Sequence, residues 1–465
     1  MKRTNNVNIM AFFNILAPVI LNGINFFTIP IFTRILGTDN YGLYTIYITW
    51  VNVFTILISL QVQGTLGVAN VRMKEEDKPK YVSSILTIIW LSFFVLFAVV
   101  CIFLKPFSDL FSLTEEIVIL MMLHALGMAF INFASNKFTY DKKAQNNFLI
   151  SVGVAVIGIA LSLGFLQIIK NEDQLYIGRA LGAAIPYIVI GLGLSFYFLW
   201  RGKTGFSRQY WKFCLPLCIP LVFHGLSQNI LSQADKVMLQ KMTNDSIVGI
   251  FGFTVSFAQI MNIIYNAFNT TWVPFYYDDM KNKDYAAIEK RTRNYIIVFT
   301  GLSLGFILLA PEVIKLFAEE EFWSGIPLIP VLVLGYYMMF LYSFPVNFEF
   351  YHKKTIHIAV GTASAAIINC ILNYFMIKAR GMQGAAEATF LSYLLLWIFH
   401  HLVAKYIIKG DYHYKIKTFI PAIAVMLIGC IIVNFTLDLI ILRWGIAVVI
   451  GLGMLYHLYK VKTIF

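Results

Sequence analysis

Long apolar stretches decide what this chain can fold into. A helix that crosses a bilayer needs about 20 mostly apolar residues. The sequence supplies fourteen such stretches, at roughly 9–33, 43–66, 82–104, 115–136, 147–169, 177–200, 213–234, 247–270, 294–317, 327–348, 356–377, 382–404, 418–436 and 440–459. Runs of this length argue against a β-barrel, whose strands alternate over about 10 residues. Hydrophobic residues make up 59% of the chain and charged residues 13%, too few charges to cover a water-soluble shell. The first run is too long for a signal peptide, and no small-residue cleavage site follows it, so it reads as a span. The expected fold is an all-α polytopic membrane protein with about 14 transmembrane helices.

The formal net charge of +12 has three physical readings: nucleic acid, anionic lipid or orientation signals. Lys and Arg in short loops mark the cytoplasmic side. With the N-terminus inside, the inner segments hold 26 of them against 7 in the outer segments. An even number of spans then returns the C-terminus to the cytoplasm. The surplus becomes a cytoplasmic rim facing anionic head groups, and no nucleic-acid partner is expected. The five cysteines, Cys101, Cys214, Cys218, Cys370 and Cys430, are scattered through apolar stretches and form neither a disulfide framework nor a metal site. No Walker A or zinc spacing occurs, so no cofactor is expected.

The chain repeats itself. Asn136, Tyr140, Lys142 and Lys143 close span four, and Asn347, Tyr351, Lys353 and Lys354 close span ten at an offset of 211. Both read N-x-x-x-Y-x-K-K. Gly178-Arg-Ala-Leu-Gly182 opens span six, and Gly381-Met-Gln-Gly384 opens span twelve. Six spans is an even number, so the copies share one orientation and are related by an axis along the membrane normal. The expected architecture is two parallel six-helix lobes, 1–205 and 206–408, around a central cavity, with two additional C-terminal helices in 409–465.

Four spans carry a polar stripe, and polar groups in hydrocarbon face protein or a hydrated cavity. Span one has Asn14, Pro18, Asn22 and Asn25, and span seven has His224, Gln228, Ser232 and Asp235 at the same 4, 4, 3 spacing. Span eight has Gln259, Asn262, Asn266 and Asn269, and span two has Asn52, Thr55 and Ser59. Spacings of three and four place such residues on one helix face. Amides and hydroxyls both donate and accept hydrogen bonds, which suits sugar hydroxyls. A phosphate would want Arg or Lys at the rim, where Arg34 and then Lys236 are the candidates. His124 and His224 are lone histidines; His224, on the stripe, reads as a hydrogen-bonded core histidine with protonation coupling as the alternative, and Arg179 lies in the opening turn of span six.

Thr33-Arg34-Ile-Leu-Gly37 followed by Tyr41-Gly42-Leu-Tyr44 resembles the first-loop signature of the polysaccharide (repeat-unit) transporter family. Leu215-Pro216, Asp235-Lys236-Val-Met-Leu239, Val248-Gly249-Ile250-Phe251 and Trp272-Val-Pro274-Phe275 resemble the start of that family's second half. The resemblance covers about residues 8–405 and places the chain beside multidrug antiporters and lipid II flippases. It implies a flippase, not an enzyme, in the plasma (inner) membrane of a bacterium. Its substrate would be a polyprenyl-diphosphate-linked oligosaccharide, carried from the cytoplasmic to the outer leaflet for surface polysaccharide biosynthesis. Membrane lipids, glycosyltransferases and a polymerase would be its partners. By this resemblance Arg34 matches the motif arginine that meets the diphosphate. The alternative is a cation-coupled multidrug antiporter of the same fold. Such antiporters usually carry an acid in the first lobe, and span one has none.

Overall fold

The computed structural model describes the backbone of residues 2–461; the side chains of 2–19, 22 and 25 fall outside the description. The candidate residues Asn14, Asn22 and Asn25 therefore lie outside the described side chains. Among the described residues there are helices and no strands. In chain order they are α1 (Lys2–Ser59), α2 (Leu66–Arg72), α3 (Lys78–Ile102), α4 (Leu104–Phe111), α5 (Glu115–Tyr140) and α6 (Ala144–Ile168). There follow α7 (Leu175–Gly202), α8 (Arg208–Met242), α9 (Asp245–Ala258), α10 (Ile260–Asn282) and α11 (Tyr285–Phe317). The last are α12 (Ile329–Tyr351), α13 (Thr355–Leu402), α14 (Ile420–Phe435) and α15 (Ile440–Val461).

Twelve helical segments among the described residues are long and apolar enough to cross a membrane. Two of the helices, α1 and α13, are long enough to hold two spans each. At 58 residues and about 1.5 Å per residue, α1 would be far longer than the ~30 Å hydrocarbon core. It breaks at Gly37, where φ is 63° and ψ is −178°. In the same way α13 breaks at Gly381, with φ 56° and ψ −134°. This backbone region is nearly closed to residues with a Cβ, so one glycine turns the chain where a loop is expected. Fourteen spans result, and the protein is a multi-pass membrane protein.

The second span stops earlier than its apolar run. Ser59 Oγ accepts a hydrogen bond from the Gln61 backbone N at 3.2 Å, and Leu60 and Gln61 turn left-handed with φ 41° and 53°. A short 3-10 turn, Val62–Thr65, then leads into α2.

The chain divides into two compact units, Met1–Asn229 and Ile230–Phe465. In the first, α1, α5, α6 and α7 pack on one another and α3 packs on α7. Small residues allow the closest approach: a Cβ added at Gly182 of α7 would lie 2.2 Å from the backbone N of Ser162 on α6. In the second unit α12 packs along α13, and α11 carries α14 and α15. Arg443 ties α15 to α11. Its side chain, placed by the sequence among outer-loop cations, is fully buried. It donates to Leu308 O at 2.8 Å, Glu312 Oε2 at 2.9 Å, Thr436 O at 2.8 Å and Leu437 O at 2.9 Å. All of its planar fork is used, which is how a guanidinium can be buried.

The two N-x-x-x-Y-x-K-K motifs close their helices with the same cap. Lys143 N donates to Phe138 O at 2.8 Å and Lys142 N to Thr139 O at 3.1 Å. At the 211-residue offset, Lys354 N donates to Glu349 O at 2.9 Å and Lys353 N to Phe350 O at 3.0 Å. Lys142 and Lys353 are both left-handed, with φ 59° and 58°. Lys203 and Lys283 end their helices in the same conformation. Glycine usually takes this position. A lysine there sets its charge against the negative end of the helix dipole.

Candidate functional site

A cavity of about 500 Å³ opens among α1, α5, α6 and α7 of the first unit. Asn52 and Tyr44 reach it from α1, His124, Asn132 and Ser135 from α5, Ser151 from α6, and Arg179 and Tyr187 from α7. Among the described residues that line it, Arg179 is the charged side chain and there is no Asp or Glu.

Arg179 and His124 are each held by neighbouring side chains. The Arg179 guanidinium lies 3.8 Å from the ring centre of Phe32 and 5.0 Å from that of Tyr44. Such contacts contribute about 0.5–2 kcal/mol each. Its Nη1 donates to Ser162 Oγ at 2.8 Å. His124 is almost wholly buried. Its Nδ1 shares a 2.9 Å hydrogen bond with the Tyr47 hydroxyl, and its Nε2 has no protein partner. A buried polar atom without a partner costs about 1–3 kcal/mol, so Nε2 stands ready for a ligand or water. Asn40 anchors the break in α1 to the start of α7: its Nδ2 donates to Glu172 O at 2.8 Å, and its Oδ1 accepts from Tyr176 N at 2.9 Å.

The residues picked from the sequence are distributed over both units. Asn52 lines the cavity just described. Thr55, its neighbour on the stripe, is buried and donates to Val51 O at 2.7 Å. Arg34 is exposed, three residues before the break at Gly37. His224 and Gln228 are half-buried on the part of α8 that belongs to the first unit. In the second unit, Gln259 and Asn266 are exposed and Asn262 is half-buried on one face. Asn266 Nδ2 donates to Asn262 Oδ1 at 3.1 Å, so two of the amides are already coupled.

Asp235 and Lys236 are both buried. Asp235 Oδ1 accepts from the Lys236 backbone N at 2.8 Å, and its Oδ2 from Thr389 Oγ1 at 3.5 Å. Lys236 Nζ donates to Gln233 Oε1. A chain of buried amides lies on α13 of the same unit: Asn373 Nδ2 donates to Asn369 Oδ1 at 2.9 Å and Asn369 Nδ2 to Ser392 Oγ at 3.2 Å.

The cavity contains residues that the sequence reading did not select. His124, Met128, Asn132 and Ser135 repeat the 4, 4, 3 spacing of the selected stripes and all line it. That spacing was the available signal. Arg179 carried none, because its role depends on rings contributed by α1.

The chain matches the family described as polysaccharide biosynthesis protein over residues 10–278, and it belongs to that family. A protein of the Lsg locus of Haemophilus influenzae is 21% identical over 272 residues, 56% of this chain. The match spans 63% of that relative, less than two thirds of its length. An uncharacterized membrane protein of the same organism is 21% identical over 363 residues, covering 74% of this chain and 83% of its own. Among solved structures, the inward closed lipid II flippase MurJ superposes with a TM-score of 0.77 at 15% identity, covering 97% of this chain and 99% of that one. An inward-facing multidrug resistance MATE family transporter of the MOP superfamily gives 0.63 at 14% identity, covering 85% and 97%. The chain therefore shares its fold with these two structures.

Proposed function

We propose that this protein is a flippase for a polyprenyl-diphosphate-linked oligosaccharide repeat unit. It moves the glycan head from the cytoplasmic to the outer leaflet of a bacterial plasma membrane, with both termini cytoplasmic. The two six-helix halves alternate access to the head group while the lipid tail stays in the bilayer. The chain performs no covalent chemistry. Glycosyltransferases supply the substrate and a polymerase consumes it.

The observation that carries this reading is the composition of the cavity in the first unit. Amides, hydroxyls and an imidazole can match the mixed donors and acceptors of a sugar. One guanidinium with no lining carboxylate favours an anionic group. Membership of a polysaccharide biosynthesis family gives the glycan its context. In the second unit an apolar groove of about 600 Å³ at α11, α14 and α15 has Glu289, Arg293 and Lys417 among its lining residues. It suits an alkyl chain beneath a polar head. Arg34, Asn262 and Asn266 remain proposed contacts of the same substrate.

A second reading rests on Asp235. A buried carboxylate beside Thr389 and buried amides is what cation-coupled antiport of a drug would use. Purified protein in vesicles separates the two readings. The flippase reading expects a lipid-linked oligosaccharide to become accessible to an added glycosidase or lectin on the far leaflet. Cation-driven uptake of cationic dyes, with no movement of the glycolipid, would favour the antiporter.

A further inference from the structure

A second cavity in the first unit, of about 430 Å³, lies at the ends of its helices. This is the end to which the sequence assigns the cytoplasm. One wall is the repeated motif itself: Tyr140, Lys142 and Lys143. Arg201 of α7, Lys78 of α3 and Lys137 of α5 complete the cationic lining. Two of these five cations have carboxylate partners in the same wall, Lys78 with Glu75 and Lys137 with Asp141. Lys142, Lys143 and Arg201 remain in excess over the lining carboxylates. Arg201 Nη1 donates to the Tyr197 hydroxyl at 3.2 Å, which leaves most of its five donors available.

Lys142, Lys143 and Arg201 are exposed, and the backbone beneath them is closely packed. The Tyr140 ring lies 2.9 Å from where a Cβ on Gly67 of α2 would sit. A Cβ on Gly202 would sit 2.2 Å from Pro79 O, and Ser83 Oγ donates to Thr204 O at 2.6 Å, so the end of α7 is clamped against the start of α3. Lys142 stays left-handed at φ 59°. A residue with a Cβ there costs about 1–2 kcal/mol where glycine would cost nothing. Strain of this kind concentrates at functional positions.

We propose that this cavity is a phosphate-binding site. A guanidinium and two ammonium groups around a rigid polar cavity match the oxygens and the charge of a phosphoryl group. The ligand class is a phosphate carried by an anionic lipid head group or by a soluble phosphoryl compound. Basic pockets between helices on the cytoplasmic side of membrane proteins bind lipid head groups in this way.

The test uses the full-length purified protein and measures binding, so it does not depend on the transport reading. The probes are sodium pyrophosphate, phosphatidylglycerol in mixed micelles, and phosphatidylcholine as the zwitterionic control. The variants are Lys142→Ala/Lys143→Ala/Arg201→Ala and the milder Lys142→Gln/Lys143→Gln. The comparator is Lys353→Ala/Lys354→Ala, the same motif in the second unit. The expected result is an affinity for a phosphate probe that falls at least about tenfold in the triple variant, falls partway in the double Gln variant, and holds in the comparator. Binding of phosphatidylglycerol but not pyrophosphate assigns the site to lipid head groups; binding of both assigns it to phosphate in general. Unchanged affinity in both cavity variants, or an equal loss in the comparator, overturns the proposal, because diffuse basic charge would then explain the binding.

Discussion

Backbone conformation at single residues shapes both ends of the spans. Four lysines, Lys142, Lys203, Lys283 and Lys353, occupy left-handed positions at helix ends, each trading a backbone cost for a charge on the helix dipole. Lys353→Gly therefore relieves strain and is expected to stabilise the protein by about 1 kcal/mol, read as a later fluorescence-monitored melt in detergent. An earlier melt would mean that the lysine charge outweighs the strain. Gly381→Ala works in the opposite direction. Nothing lies within 4 Å of the added Cβ, so the expected loss of about 1–3 kcal/mol comes from the backbone alone. At this scale the sequence was only partly legible. Gly37 and Gly381 looked like loop residues, because a one-residue reversal needs no polar linker to announce it. Asn52 was legible because its amide sits on an otherwise apolar helix. His124 and Arg179 were not, because a lone histidine and a helix-opening arginine look the same whether they serve packing or a cavity.

At the scale of elements, the last two helices belong to the body of the second unit rather than hanging from it. Arg443 fastens α15 and the turn before it to α11 through Glu312 and three backbone carbonyls. Arg443→Leu leaves the Glu312 carboxylate and those carbonyls without their donor. A cost of about 3–5 kcal/mol is expected, seen as faster proteolysis within the turn between α14 and α15. The double variant Arg443→Leu/Glu312→Leu is expected to recover part of that loss, since it removes the orphaned charge as well. Equal proteolysis of wild type and Arg443→Leu would show the tie to be redundant. The span count was legible here, because helix length and hydropathy are set by the bilayer. The Arg443–Glu312 tie was not, because the two residues are 131 apart in sequence and nothing local signals their pairing.

The whole molecule consists of two units whose sequences repeat at about 211 residues and whose motif copies end in the same cap. Fold class and family were legible from span number, repeat and motifs. The internal cavity of the first unit was not, because it depends on how α1, α5, α6 and α7 meet. In the proposed mechanism this cavity reads an anionic glycan head group through Arg179. The direct measurement is the initial rate at which reconstituted Arg179→Gln protein flips a lipid-linked oligosaccharide, beside wild type and Arg179→Lys, with melting recorded for each. The expected result is a loss of about tenfold or more for Gln, equivalent to about 1.4 kcal/mol, and a partial loss for Lys, with melting little changed. A Gln variant that flips the glycolipid at the wild-type rate would contradict it.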